Sequence, residues 1–221
     1  MQGSAHITRT LLIPRSVDNY IVVNRGSTRN LDELASDKST GISQVRAFDL
    51  TQVPTGGYNF ATSGQVLGWG LRNEVGIGEA SDGGIWGVEN SADQLRRNKV
   101  DIYATNPAEE LNSLGYLNGT QVAQQGSNFG YPSCFTVWNA STLPNSSGLQ
   151  TGDQFALDSS VDCSNFTSPR LAFRPHTVSE IFSSAGSLSD KIHRHHWTSN
   201  SMTAGTMLGL AFTVAGTVQI L

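Results

Sequence analysis

The stretch 68–132 gathers the side chains best suited to chemistry. Arg72-Asn73 follows Gly68-Trp69-Gly70-Leu71, Glu109-Glu110 and Asn112 follow Asn106-Pro107-Ala108, and Asn128-Phe129-Gly130-Tyr131-Pro132 closes it. A guanidinium held on a rim binds a carboxylate or stabilises oxyanion charge, and a neighbouring amide donates to a carbonyl. On spacing alone the same pair suits a surface Arg with an Asn turn better. Two carboxylates and an asparagine offer the oxygen donors that a hard cation such as Ca2+ takes, although adjacent glutamates also suit a solvated turn. His6 precedes the first apolar run and has the ordinary pKa of a general base. His193, His195 and His196 suit a transition metal, but no other ligand cluster accompanies them.

These groups need a scaffold, and the chain reads as short strands. Leu11-Leu12-Ile13 stops at Pro14, and Tyr20-Ile21-Val22-Val23 stops at Asn24-Arg25-Gly26. Further strands are expected over 44–50, 66–69 and 101–103, and over 75–79 paired with 85–88. The Asp82-Gly83-Gly84 between that pair is a hairpin signal, because glycine supplies the positive φ of a tight turn. Strands spaced this closely indicate an all-β sandwich, barrel or propeller, whose loops present polar chemistry at one rim. Helix signals are few, with 31–35 the best, and 139–168 reads as a long surface loop. A boundary is expected near residue 177, followed by a polar stretch and an apolar run over 205–221.

Charged residues make up only 14% of the 221-residue chain and the net charge is −4, which excludes a nucleic-acid footprint and suits a loop-rich, secreted, all-β protein. Asn118-Gly119-Thr120, Asn139-Ala140-Ser141, Asn145-Ser146-Ser147 and Asn165-Phe166-Thr167 are glycosylation sequons clustered around Cys134 and Cys163. Together they point to an extracellular glycoprotein in which the two cysteines either pair or stay as buried thiols. Pairing would close a loop worth roughly 3 kcal/mol on the chain-entropy account. The chain opens Met1-Gln2-Gly3-Ser4-Ala5-His6, with no export signal, so a fragment is expected. The apolar run 205–221 is shorter than the roughly 20 residues of a membrane span, so no membrane partner is expected.

In order along the chain stand His6-Ile7-Thr8-Arg9-Thr10-Leu11, Asn24-Arg25-Gly26-Ser27, Asn30-Leu31-Asp32 and Gln44-Val45-Arg46-Ala47-Phe48. Leu71-Arg72-Asn73, Val88-Glu89-Asn90-Ser91-Ala92-Asp93-Gln94-Leu95, Glu109-Glu110-Leu111-Asn112 and Asn128-Phe129-Gly130-Tyr131-Pro132 follow. With these motifs the chain resembles the glucose/sorbosone dehydrogenase group, most closely the fungal pyrroloquinoline quinone (PQQ)-dependent pyranose dehydrogenases. The resemblance implies a six-bladed β-propeller, of which residues 1–177 would cover roughly half the blades. It also implies PQQ and Ca2+ as cofactors and a pyranose or related sugar as substrate. The electron acceptor would be a cytochrome domain or a quinone or dye, and the protein a monomer.

Carried onto this chain, His6 is the base that takes the substrate hydroxyl proton, and Arg72 stabilises the quinone oxygen with Asn73 beside it. Arg25 and Asn30 fall at polar cofactor contacts. The Ser91 and Ala92 carbonyls would ligate the Ca2+ at the quinone, and Glu109, Glu110 and the Phe129 carbonyl a structural Ca2+. Two departures stand out. Ala5 occupies the place of a group that would orient His6, and after Pro175-His176-Thr177 the text ceases to match. Residues 178–221 are therefore expected to be a family-unlike tail from a shifted reading frame or retained intron. The rival functions are a non-catalytic extracellular propeller binding carbohydrate or protein, and a calcium-dependent lactone hydrolase.

Overall fold

Aromatic and β-branched side chains pack well on a pleated surface, and in the computed structural model Tyr20-Ile21-Val22-Val23 lies within a strand. Residues 6, 9–158 and 160–176 are described. The expected tail 178–221, with its histidine cluster and apolar run, and Ala5 lie outside the described residues.

The first four strands are β1 (Leu11–Leu12), β2 (Tyr20–Arg25), β3 (Gln44–Asp49) and β4 (Gln65–Trp69). They form one antiparallel sheet in the order β1-β2-β3-β4. Next come β5 (Glu74–Glu79), β6 (Gly84–Glu89), β7 (Arg96–Arg97), β8 (Val100–Asp101) and β9 (Glu109–Tyr116). The last three are β10 (Cys134–Thr136), β11 (Gln154–Ala156) and β12 (Leu171–Phe173). A second antiparallel sheet runs β12-β9-β6-β5, while β7-β8 and β10-β11 are two-stranded hairpins. The hairpin expected across Asp82-Gly83-Gly84 is β5–β6, with Gly83 at φ +85.

Val22, Val45, Ala47 and Leu67 of the first sheet are buried against Ile77, Ile85 and Leu114 of the second. This core makes the two sheets one rigid support. A second cluster joins Ala92, Leu95 and Ile102 to Tyr131, Phe135, Val137, Leu143 and Phe155. It anchors the segment between β6 and β9 to the chain that follows β9. Cys134 and Cys163 are bonded, closing the loop that holds β11.

Three sequence expectations need correction. Glu109 and Glu110 begin the eight-residue strand β9 rather than a loop. Its polar residues hide it from apolar periodicity, because Glu110 and Asn112 are buried and paired with Glu74 and Glu89 rather than exposed. The expected surface loop 139–168 contains β11 and places Leu143 and Phe155 in the core. The helical segment is a short 3-10 turn over Glu33–Ser36, capped by the Asp32 carboxylate, which accepts from Leu34 N–H.

Register brings the chemistry to one side. Arg25 at the end of β2 pairs with Gln44, and Gln44 pairs with Trp69 at the end of β4. In the second sheet Glu74 at the start of β5 pairs with Glu89, and Glu89 with Glu110 at the start of β9. The residues after β2, β4, β6 and β12 therefore emerge at one common rim. Gly70 makes the crossing between sheets: its φ is +65, and a Cβ there would lie 2.0 Å from the Asn128 side-chain oxygen.

Candidate functional site

Arg72 is the hub of that rim. Its side chain is buried, and its own N–H donates to Glu89 Oε1 at 2.6 Å. Nε donates to the Asn30 carbonyl (3.2 Å), Nη1 to the Ser91 and Asn90 carbonyls (2.5 and 3.2 Å), and Nη2 to Asn30 Oδ1 and Asp93 Oδ2 (both 2.9 Å). These contacts use every N–H of a guanidinium. Any further acceptor must therefore share or displace one of these partners. The Arg72 carbonyl in turn accepts from Ser27 N–H at 2.8 Å, so one residue ties together the segments after β2, β4 and β6.

His6 lies beside this hub. Its Nδ1 is 3.0 Å from both the carbonyl and the hydroxyl of Ser27. A ring nitrogen that donates to a carbonyl keeps its proton, which leaves the lone pair on Nε2. The Ser27 hydroxyl itself donates to the Arg29 carbonyl (2.8 Å), so it meets Nδ1–H as an acceptor. Burial, and then the Arg72 charge, hold the His6 pKa below its ordinary value. A neutral imidazole oriented in this way suits a base. Ser27 provides the orientation that Ala5 does not offer.

Asn73 is buried next to His6, and its side-chain oxygen has no partner among the described residues. A Cβ at Gly26 would sit 2.5 Å from that oxygen and 2.9 Å from the His6 Cβ, so the approach needs glycine there. An orphaned buried polar atom beside an oriented imidazole marks a place for a polar ligand.

His176 lies three residues past β12, and no sequence signal marks it as a site residue. Its Nε2 is 2.8 Å from Asp93 Oδ1 and its Nδ1 is 2.6 Å from Glu109 Oε1. Asp93 also meets Tyr103 OH at 3.2 Å. The bonds to Asp93 and Glu109 push the His176 pKa up to about 9, and the bond from His176, with Arg72 nearby, holds Asp93 at about 2. No local motif signals His176, because its partners lie 67 and 83 residues away.

A pH effect follows. A histidine whose folded pKa is raised stabilises the protein fully below its unfolded pKa, near 6.5, and loses that contribution as pH rises through about 9. The wild type should lose about 1–2 kcal/mol of this stabilisation across that window, after discounting for partial exposure. His176→Gln should lack that part of the slope, which urea unfolding at pH 6 and pH 9.5 would show. Equal slopes in both proteins would contradict the assignment.

Beneath the rim lies a row of carboxylates. Glu74, Glu89 and Glu110 are buried and face one another across β5, β6 and β9. The Asn112 side-chain nitrogen is their shared donor, at 3.1, 3.2 and 3.3 Å. Like charges opposite one another in a sheet repel. Burial first pushes all three pKa values up, with the neighbouring carboxylates contributing; Glu74 reaches about 8 and Glu110 about 7. Glu74 Oε2 and Asn112 Oδ1 have no partner among the described residues. Beside the row is a small gap lined by Glu89, Ser91, Glu110 and Phe129. Among the described residues no three His, Cys, Asp or Glu side chains form a ready metal cage, so a cation here would need carbonyl oxygens as well.

The rim thus unites His6, Asn30, Arg72, Asn73 and Ser91, with Ala92 buried behind them. Arg25 donates instead to the Thr40 carbonyl at 3.3 Å. Glu109 and Glu110 are adjacent on a strand and so point to opposite faces. Glu109 binds His176 and Ser91 N–H, while Glu110 joins the buried row. The Phe129 carbonyl accepts from Gln154 at 3.0 Å.

The profile of the TrAA12-like family matches residues 1–179. A pyrroloquinoline quinone-dependent sugar dehydrogenase of Hypocrea jecorina is 43% identical over 185 residues, covering 80% of this chain and 43% of that protein. The calcium structure of a Trichoderma reesei carbohydrate-active enzyme of family AA12 superimposes with a TM-score of 0.73 at 41% identity, covering 80% of this chain and 45% of that one. The holo form of the pyranose dehydrogenase PQQ domain from Coprinopsis cinerea gives 0.71 at 38% identity, covering 78% and 44%. The chain spans less than half the length of each of these relatives.

Proposed function

The chain belongs to the TrAA12-like family, and on that premise we propose that it carries the cofactor-facing part of a secreted, PQQ- and calcium-dependent oxidoreductase acting on a pyranose or related sugar. The two four-stranded sheets are read as neighbouring blades of a propeller formed by residues 1–177, with 178–221 a separate tail. The observation that carries the reading is the buried Arg72 hub with an oriented, neutral His6 and the orphaned Asn73 oxygen beside it.

The residues present fit the two groups. Arg72, Asn73 and Asn30 would hold the quinone, with Arg25 at a more distant contact. The Ser91 and Ala92 carbonyls would hold a cation beside it. When bound, PQQ accepts the hydride that a sugar C–H releases. His6 takes the hydroxyl proton on Nε2 while Ser27 holds Nδ1–H in place. Arg72 keeps the 27–30 and 90–93 segments in register. The Ser91 carbonyl, which accepts from Arg72 Nη1, would be shared between Arg72 and the cation. A structural cation fits the buried row at Glu110 and Glu89, beside Phe129. Glu109 lies on the opposite face and serves His176 instead.

The experiment is reconstitution of the full-length protein with PQQ and Ca2+, followed by dye-linked oxidation of a sugar panel. His6→Gln should lower turnover about 10²–10⁴-fold, the usual worth of a positioned base, while leaving quinone uptake intact. Unchanged turnover would rule His6 out. Turnover without added PQQ would overturn the reading.

A further inference from the structure

A sugar site needs more than polar groups. A pyranose presents a rim of hydroxyls and a face of C–H bonds, so its sites pair convergent polar side chains with an aromatic surface. The Asp93 carboxylate, partly exposed and braced by Arg72 and His176, supplies the first part. Two tyrosines reach this cluster or its partners. Tyr131 is buried, and its hydroxyl is used inside the fold by the Asn30 carbonyl (2.9 Å) and Asp32 N–H (2.8 Å). Tyr103 is half-exposed, and its hydroxyl meets Asp93 Oδ1 at 3.2 Å.

The position of Tyr103 is fixed from both sides. Ile102 before it is buried, and its carbonyl accepts from Thr105 and Asn106 N–H at 2.9 and 2.8 Å. Tyr103 N–H donates to Asp101 Oδ1 at 3.0 Å. The β7–β8 hairpin ahead of it turns through left-handed Asn98 and Lys99, and Arg97 lies over the Phe155 ring at 5.4 Å. The side chain therefore stands on a braced turn, with its hydroxyl tethered to the carboxylate that also holds Arg72 and His176. Asp93 keeps 36% of its side-chain surface exposed, so the cluster that the Tyr103 hydroxyl joins is open to solvent.

Resting on the sugar-oxidoreductase reading above, we propose that Tyr103 is a specificity-determining residue whose ring, held on its braced turn, forms the aromatic wall against which the C–H face of a pyranose packs. Two substitutions separate this role from that of a plain hydrogen-bond partner. Tyr103→Phe keeps the ring and loses the tether, whereas Tyr103→Ala loses both.

The test uses the full-length protein loaded with PQQ and Ca2+, with D-glucose, D-galactose and D-xylose as probes. Tyr103→Ala should raise KM about tenfold, the scale of one lost aromatic contact, with kcat changed less than about threefold. Tyr103→Phe should stay within about twofold of wild type in KM. Saturating sugar should also slow nitration of Tyr103 by tetranitromethane, read by peptide mass mapping, which reports binding without turnover. An unchanged KM in the alanine variant, equal losses in both variants, or nitration indifferent to bound sugar would overturn this inference alone. A wild type that takes up PQQ but neither binds nor oxidises any sugar would overturn both this inference and the functional reading.

Discussion

Arg72→Met should destabilise the protein by about 3–5 kcal/mol and abolish quinone uptake, the largest single-residue effect expected here. The side chain is buried and donates to the carbonyls of Asn30, Asn90 and Ser91, to Asn30 Oδ1 and to Asp93. Methionine fills much of the volume but leaves the Asp93 carboxylate without its guanidinium and the carbonyls without donors. Each buried group so stranded costs about 1–3 kcal/mol in desolvation, and relaxation toward solvent returns part of that. Arg72→Lys should recover little, because an ammonium has too few donors and no planar fork to span three segments. Urea unfolding reads the stability and dialysis the uptake. A methionine variant within about 1 kcal/mol of wild type would show that the hub does not organise the rim.

Calcium should produce the second large effect, and the buried carboxylate row sets its pH dependence. Glu74, Glu89 and Glu110 have folded pKa values raised above the ordinary carboxylate value. The folded state thus binds more protons than the unfolded state between about pH 5 and pH 8, and stability falls as pH rises through that window. A cation in the row would replace those protons and remove the penalty. At a hundredfold excess over its Kd, Ca2+ should add about 2.7 kcal/mol, seen as a rise in Tm at pH 8 that a chelator reverses. The rise should shrink at pH 5, where protons already neutralise the row. Glu110→Gln removes one repelling charge, so it should stabilise the metal-free protein at pH 8 while weakening the calcium response. A Tm indifferent to Ca2+ at pH 8 would exclude a cation there.

The sequence revealed those elements whose cause is local. Val22 and Val45 sit in strands read from apolar periodicity, and Asp82-Gly83-Gly84 turns the β5–β6 hairpin because Gly83 takes the positive φ of the turn while Gly84 starts β6. Arg72, Asn73 and His6 stand out by residue type and position and Asn30 through the family resemblance, and all four lie at one rim. What stayed hidden depends on distant partners. Strand β9 begins with two glutamates, a poor strand signal, and forms because β6 and β12 enclose it and Asn112 serves the row. His176 gains its role only when β12 pairs with β9 and brings it to Glu109 and Asp93. Ser27 orients His6 from a loop whose course is set by Arg72, which no spacing rule anticipates. Phe155 and Leu143 looked like loop residues because Ser, Asn and Gly surround them, yet they complete the second core cluster.

The Arg72 rim should receive the quinone with the help of a cation. Equilibrium dialysis of the full-length protein against PQQ, with and without Ca2+, tests it most directly. The expected result is saturable uptake of one PQQ per chain that requires Ca2+, persists in His6→Gln and is lost in Arg72→Met. Uptake that is absent, that does not saturate, or that survives in the Arg72 variant would contradict the account.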